Sequence, residues 1–113
     1  MRQCLIITVN GRRRRTVVLA APQPIPNLEL LALDFGSSRG PHFLASRDDY
    51  RRGAYRFHPS TIRIGPPGTY RPRAVAIRYT DGTSAESPLL DTILIEVAAI
   101  PKRPEHLPLF TAR

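Results

Sequence analysis

Two alternating segments on either side of Asp81-Gly82 constrain the fold more than any other part of the chain. Residues 69–80 and 88–98 are rich in β-branched and aliphatic residues, and Asp-Gly favours a tight turn between strands. The pattern predicts two long antiparallel strands joined by a turn that begins at Asp81. Because the apolar face of such a pair needs a second sheet to cover it, we expect a mainly all-β fold, a single antiparallel β-sandwich.

The second of these segments is apolar on both faces. Ile93, Ile95 and Val97 alternate with Leu94 and Glu96, and Leu90 adds to the second face. A strand that is apolar on both faces is typical of one covered on two sides. We therefore expect this segment to be the most buried part of the sandwich.

Length and composition limit the alternatives. A chain of 113 residues is near the commonest size of one domain, and twelve prolines argue against long helices. We expect a β domain over residues 1–100 and an extended, proline-rich C-terminal arm over residues 101–113. Cys4 is the only cysteine, so no internal disulfide can form, and a reducing compartment, or a particle assembled in one, fits that best. The apolar run near the N-terminus is too short for a signal peptide core, so we expect a protein of the cytoplasm or of a virion, not one secreted by a signal peptide.

The first third of the chain predicts a hairpin and a crossing. Residues 3–9 and 15–20 read as its strands, with the turn opened by Asn10-Gly11, because that pair tolerates positive φ angles. Residues 21–26, which we call the proline-rich crossing, carry a proline at every second position. They predict an extended connection between sheets, or a linker between two small units.

The middle of the chain gives weaker signals. Residues 27–35 fit a strand better than one helical turn, because the segment is short and loop residues close it. Residues 43–55 carry mixed charges and predict a surface loop with up to one helical turn. Residues 55–58 and 61–64 each alternate, which predicts two short strands or one bent edge strand.

The segment Gly68-Thr69-Tyr70, the alternating strand that follows it, Asp81-Gly82 and the final Ile- and Val-rich strand resemble the last two strands of immunoglobulin-like sandwich domains of bacterial and phage surface or virion proteins. The resemblance covers about thirty residues. It implies an immunoglobulin-like sandwich with a tyrosine corner, in which the Tyr70 hydroxyl bonds nearby backbone.

Arginine supplies sixteen of the seventeen basic residues, and the net charge is +8. Four arginines, Arg12, Arg13, Arg14 and Arg15, lie at or beside the first predicted hairpin turn. They predict a partner-binding tip that grips acidic side chains of a protein, a phosphate-binding finger, or a solvated tip without a partner. The same arginine, alanine and proline bias is also what a GC-rich genome produces.

A second arginine group forms a possible anion- or partner-binding loop. Its members are Arg47, Arg51, Arg52 and Arg56. Asp48 and Asp49 interrupt this group, and Tyr50, Tyr55 and Phe57 alternate with it. Such aromatic residues are compatible with base stacking, but core or rim positions explain them more simply. In the arm, Leu107, Leu109 and Phe110 predict docking on this domain or on a neighbour.

No motif for catalysis accompanies these features. His42, His58 and His106 are too scattered for metal-ligand spacing, and Cys4 is expected to be a small buried apolar residue. We therefore expect no enzyme activity, no metal and no cofactor.

The sequence favours a non-catalytic structural or interaction module. The most concrete version is a virion protein, for capsid decoration, cement or head–tail joining, that docks on neighbouring subunits in a homo- or hetero-oligomeric assembly without a membrane partner. The alternative is a nucleic-acid-binding protein that uses the arginine groups as a phosphate clamp. An inhibitor of one host protein is a third possibility.

Overall fold

The structure is a computed structural model that describes residues 3–36, 40–60 and 64–99. In chain order its strands are β1 (Gln3–Val9), β2 (Arg12–Arg14), β3 (Val17–Ala20), β4 (Leu28–Asp34), β5 (Phe43–Ala45), β6 (Tyr50–Arg51), β7 (Ala54–Pro59), β8 (Gly68–Tyr70), β9 (Ala74–Tyr79), β10 (Ser84–Pro88) and β11 (Ile93–Ala99). One 3-10 turn, Arg47–Asp49, precedes β6. Within these ranges there is no helix that could span a membrane.

The strands form two antiparallel sheets. The four-stranded sheet has the order β2-β1-β11-β8, and the seven-stranded sheet has the order β10-β9-β4-β5-β7-β3 with β6 paired to β7. One of the two sheets curls into a half-barrel. The predicted all-β class is therefore confirmed.

Both sheets contribute to one core. Ile7 and Ile95 point inward from the four-stranded sheet, and Leu31, Phe57 and Val75 point inward from the seven-stranded sheet. All five side chains are buried. Burying an aliphatic or aromatic side chain of this size contributes about 1.5–3 kcal/mol, so the alternation of the central strands holds the layers together.

The first turn is confirmed, but the predicted return strand is wrong. Asn10 and Gly11 have φ angles of 50° and 81°, and Val9 lies opposite Arg12, as in a two-residue hairpin turn. The return strand is β2, which is three residues long. The chain then bends and enters the other sheet as β3, because Val17 can be buried there while the arginines stay in solvent.

The second turn begins where it was predicted, but its partner strands differ. Gly82 has a φ of 90°, and β9 pairs with β10 rather than with β11. Strand β11 lies in the other sheet, between β1 and β8. The predicted strand over residues 69–80 is broken because Pro72 offers no backbone donor, so β8 and β9 belong to different sheets.

The predicted burial of both β11 faces is also wrong. Ile93, Ile95 and Val97 are buried, whereas Leu94 is half-buried and Glu96 is exposed. Leu90, in the connection before β11, is 96% exposed. One face of β11 therefore packs on the core, and the other is the outer face of the four-stranded sheet.

The proline-rich crossing joins two strands of the same sheet, β3 and β4, so the predicted connection between sheets is wrong. Two tyrosines hold it. The Tyr50 hydroxyl donates to the Ala21 carbonyl at 2.7 Å, and the Ile25 N–H donates to the Tyr55 hydroxyl at 2.8 Å. The crossing is thus tied to the domain rather than linking two units.

The middle of the chain is more regular than predicted. Residues 27–35 contain β4, which confirms the strand. The expected helical turn is present at Arg47–Asp49, but the loop prediction missed β5 and β6. Residues 55–58 lie in β7, and most of the predicted strand over 61–64 lies outside the described residues.

Tyr70 makes the bond that the immunoglobulin-like resemblance implies. Its hydroxyl donates to the Pro66 carbonyl at 2.6 Å. Its ring meets Phe35 edge-on, with 6.3 Å between ring centroids. Gly40 lies against the same ring, where a Cβ atom would approach Tyr70 Cδ1 to 3.0 Å, so a larger residue there would require the ring to shift.

Candidate functional site

The arginine edge, which we define as Arg12–Arg15, lies along the border of the four-stranded sheet. Strand β2 pairs with β1, and Arg14 lies opposite Ile7. All four arginines are exposed. The predicted tip is therefore a sheet edge, where charged side chains commonly prevent unwanted pairing with other strands.

Neither arginine group forms an ion pair among the described residues, although Asp48 and Asp49 line the same depression as Arg51 and Arg56. The described arginine ion pairs are Arg73–Asp34 at 3.0 Å and Arg78–Glu29 at 2.8 Å. In the part of the chain that the structure describes, no carboxylate pairs with the arginine edge or with the members of the second group. These positive charges are available to an anionic partner.

Strand β3 brings most of the two groups together. It follows the arginine edge directly and pairs with β7, so that Val18 lies opposite Arg56. The turn that carries Arg51 and Arg52 lies at the other end of β3, about 10 Å further along the strand. Arg12–Arg15, Arg51, Arg52 and Arg56 therefore flank one strand, and we call these seven residues the basic band.

Arg47 is less closely associated with the band. It begins the 3-10 turn, which lies against β7 and β4. Arg56 is positioned by a hydrogen bond from its guanidinium to the Arg51 carbonyl at 3.0 Å. The sequence could not show which of these arginines share a surface.

An open depression of about 420 Å³ lies between the two sheets at the start of β3. Its lining consists of Val9, Arg14, Arg15, Thr16, Val18 and Asp91. Asp91 already accepts a hydrogen bond from the Asn10 side chain at 2.8 Å. Two guanidinium groups beside one engaged carboxylate suit a further carboxylate or phosphate from a ligand.

The aromatic residues near the second group are structural. Tyr55 and Phe57 are fully buried, and Tyr50 is half-buried with its hydroxyl bonded to the crossing. Buried rings cannot stack on bases from solvent. The core interpretation of Tyr55 and Phe57 is therefore confirmed.

A second polar cluster joins Ser46, Asp49 and His58. The Asp49 carboxylate accepts from the Ser46 N–H at 2.7 Å and contacts the His58 ring at 2.8 Å. The Ser46 hydroxyl accepts from the Asp48 N–H and completes a capping box. Because the carboxylate stands between serine and histidine, this order differs from that of a nucleophilic triad, in which histidine contacts the serine.

The Asp49 carboxyl has a shifted pKa. Partial burial raises its pKa, but the hydrogen bonds from Ser46 and His58 outweigh burial and lower it below the usual value. A carboxylate with a lowered pKa in the folded state contributes stability above the unfolded pKa, and this stability disappears as the pH falls through the folded value.

We expect Asp49→Asn to lower the free energy of unfolding by about 1 kcal/mol at pH 7, because the neutral amide is a weaker acceptor for the cap. The difference from the wild type should be smaller at pH 3 than at pH 7, because a carboxyl whose folded pKa lies below 3.8 loses its stabilising contribution as the pH falls toward and through that pKa. Urea unfolding at both pH values measures this. Asp48→Asn is the control, since the Asp48 side chain is exposed. An equal loss in both variants at pH 7 would contradict the role of the Asp49 contacts.

Other predicted site residues are dispersed. Cys4 is half-buried in β1 rather than buried, and His42 and His58 are exposed. Leu107, Leu109, Phe110 and His106 lie outside the described residues. In the ranges that the structure describes, no three His, Cys, Asp or Glu side chains are grouped to hold a metal ion.

Sequence reasoning missed the free edge of β3. Val18 is 41% exposed there, beside Arg15 and Arg56. No signal in residues 17–20 identifies an edge, because the same apolar run also suits a central strand.

Comparison of the chain with protein-family models, curated proteins and solved structures gives no match, so its function is inferred from the geometry.

Proposed function

We propose that this protein is a non-catalytic interaction module that assembles with other protein subunits through its basic band. The main observation in support is that the seven arginines of the basic band flank strand β3 without a described carboxylate partner. The most concrete version is a virion protein, for capsid decoration, cement or head–tail joining. Its small disulfide-free β domain and its basic surface support that version.

An acidic protein surface suits the band for physical reasons. Like charges held along one strand repel each other, and a partner with carboxylates relieves this repulsion. Guanidinium groups bind carboxylates with two parallel hydrogen bonds, so the contact also fixes orientation. Each exposed pair contributes only about 0.2–1 kcal/mol, so binding requires several pairs together with shape complementarity.

We further propose that the domain is an immunoglobulin-like sandwich. The Tyr70 hydroxyl bond to Pro66 and the two antiparallel sheets over a common core support this type. Domains of that type commonly serve as scaffolds for contact surfaces, which is the role proposed for the basic band.

Replacing Arg12–Arg15 with serine tests the proposal. We expect the free energy of unfolding to change little, about 0.5 kcal/mol or less per substitution, because the side chains are exposed. We expect assembly with the stoichiometric partner to be lost, as measured by pull-down and size-exclusion chromatography with light scattering.

Replacement of the same four residues by lysine is the matched control, since it keeps the charge and removes the planar fork. Intermediate binding by the lysine variant indicates paired recognition of carboxylates. Unfolding of the serine variant would show that the arginines are structural, and a monomeric wild type without a partner would contradict the proposal.

A phosphate clamp for nucleic acid is the second candidate function. The observation in its favour is the same band, whose cations lie at both ends of β3. A salt titration separates the candidates, because affinity for a DNA or RNA duplex falls steeply with salt in proportion to the phosphates neutralised. If affinity is weak at physiological salt while the protein copurifies with an ordered oligomer or shell, the clamp is excluded. If the partner is instead a single host protein, the protein is an inhibitor.

A further inference from the structure

The free side of β3 has unpaired backbone groups. Strand β3 ends the seven-stranded order and pairs with β7. The Ala21 N–H donates to the Gly53 carbonyl at 2.9 Å. This bond shows which backbone groups of β3 face β7, since Ala21 faces it and every second residue before Ala21 does the same. Because the bonded residues alternate in an antiparallel pair, the N–H and C=O groups of Val18 and Ala20 point away from β7. No described residue hydrogen-bonds to these groups.

The other sheet borders are protected. Strand β2 consists of three arginines, and β8 is three residues long and follows Pro66-Pro67. Strand β10 includes Glu86 and ends at Pro88. Charges, prolines and short length are the usual means of blocking a sheet edge. Strand β3 is also short, at four residues, but all four are apolar. Among the described border strands, β3 is therefore the most apolar, which suits its free side to pairing with another strand.

We propose that β3 binds an extended acidic segment of a partner protein by strand addition, which continues the seven-stranded sheet. This inference rests on the proposed function, since it specifies how the partner is bound. Backbone bonds to Val18 and Ala20 hold the added strand. Its acidic side chains meet Arg14 and Arg15 in the depression at the start of β3, and Arg56 on the neighbouring strand.

Charge complementarity selects the occupant. A second copy of this chain paired through β3 would bring two basic bands to the same interface, and like charges that face each other are destabilising. A neutral segment would leave the arginines without counter-charges. An acidic segment with alternating apolar residues satisfies the backbone groups, covers the exposed Val18 side chain and neutralises the band.

The probe is a fluorescein-labelled ten-residue peptide that alternates glutamate with valine, and its control alternates lysine with valine. We expect saturable binding of the glutamate peptide in fluorescence anisotropy and none of the lysine peptide. Peptide binding should also slow amide hydrogen exchange at Val18 and Ala20 in the wild type, because their N–H groups become bonded. Unchanged exchange at both amides would overturn the proposal.

Val18→Pro removes one of the two N–H groups. The fold should persist because this N–H does not bond to β7, and proline is tolerated at strand edges. We expect binding of the glutamate peptide to weaken about tenfold, whereas Val18→Thr, which keeps the N–H, stays within about threefold of the wild type. If Val18→Pro unfolds, Ala20→Pro gives the same test, since its N–H also points away from β7.

The outcomes separate strand addition from the broader proposal. Equal binding by Val18→Pro and Val18→Thr, or no binding of the glutamate peptide, overturns strand addition. If the proline variant binds normally while Arg12–Arg15→Ser does not, the basic band binds through side chains alone, and the proposed function stands. If the serine variant still assembles with the natural partner, the proposed function itself fails.

Discussion

Tyr55→Ala is expected to lower the free energy of unfolding by about 3–5 kcal/mol. Tyr55 is fully buried in β7, and its ring lies 4.8 Å from the ring of Tyr50 between centroids. Its hydroxyl also accepts the Ile25 N–H at 2.8 Å. The substitution would leave a cavity in place of the ring, and it would also remove the hydrogen bond that holds the proline-rich crossing. Small domains have a total stability of about 5–15 kcal/mol, so this single change should remove a large share of it.

Tyr55→Phe is the matched control, because it keeps the ring and removes the acceptor. We expect a loss of about 1–2 kcal/mol, the usual effect of one buried donor left without a partner. Urea unfolding of both variants at pH 7 gives the two values. A loss of less than about 1 kcal/mol for Tyr55→Ala would contradict the burial of this ring. Equal losses for both variants would show that the hydroxyl bond, rather than the packing, holds the crossing.

Local turn chemistry was readable from the sequence. Asn10-Gly11 and Asp81-Gly82 form turns where they were predicted, because Asn and Gly tolerate positive φ and Asp accepts from nearby backbone. The Asp81 carboxylate accepts from the Thr83 hydroxyl at 2.6 Å and from its N–H at 2.9 Å, and these bonds lower the pKa of Asp81. Such signals depend on residues within three positions of each other, so one sequence is sufficient.

Sheet membership was not readable, because it depends on distant residues. Strands β9 and β11 look like hairpin partners in sequence, yet β11 pairs with β1, which is about 90 residues away along the chain. The turn at Arg52-Gly53 was also missed. Arg52 has a φ of 53°, which is uncommon for arginine. The residue pair Arg52-Gly53 therefore gives little indication of a two-residue turn.

The candidate site was predicted in part for the same reason. Exposure of Arg12–Arg15 follows from charge, and their position next to a turn follows from Asn10-Gly11. That the second arginine group lies beside them depends on the pairing of β3 with β7, about 40 positions apart. Which edge remains open depends on every other pairing in the sheet. Individual residues of the site were therefore predictable, but the surface that they form was not.

Ile95→Ala and Leu94→Ala test whether β11 is buried on one face, as in the structure, or on both faces, as the sequence pattern indicates. Ile95 is fully buried between the sheets, whereas the neighbouring Leu94 is half-buried on the outer face, opposite Thr8. We expect Ile95→Ala to lower the free energy of unfolding by about 2–5 kcal/mol and Leu94→Ala by about 1 kcal/mol. A strand covered on both faces, as the sequence pattern indicates, would give similar losses. Urea unfolding of the two variants measures the difference. Equal losses would mean that the outer face of the four-stranded sheet is covered in solution, and that face rather than the β3 edge would then be the first surface to search for an occupant.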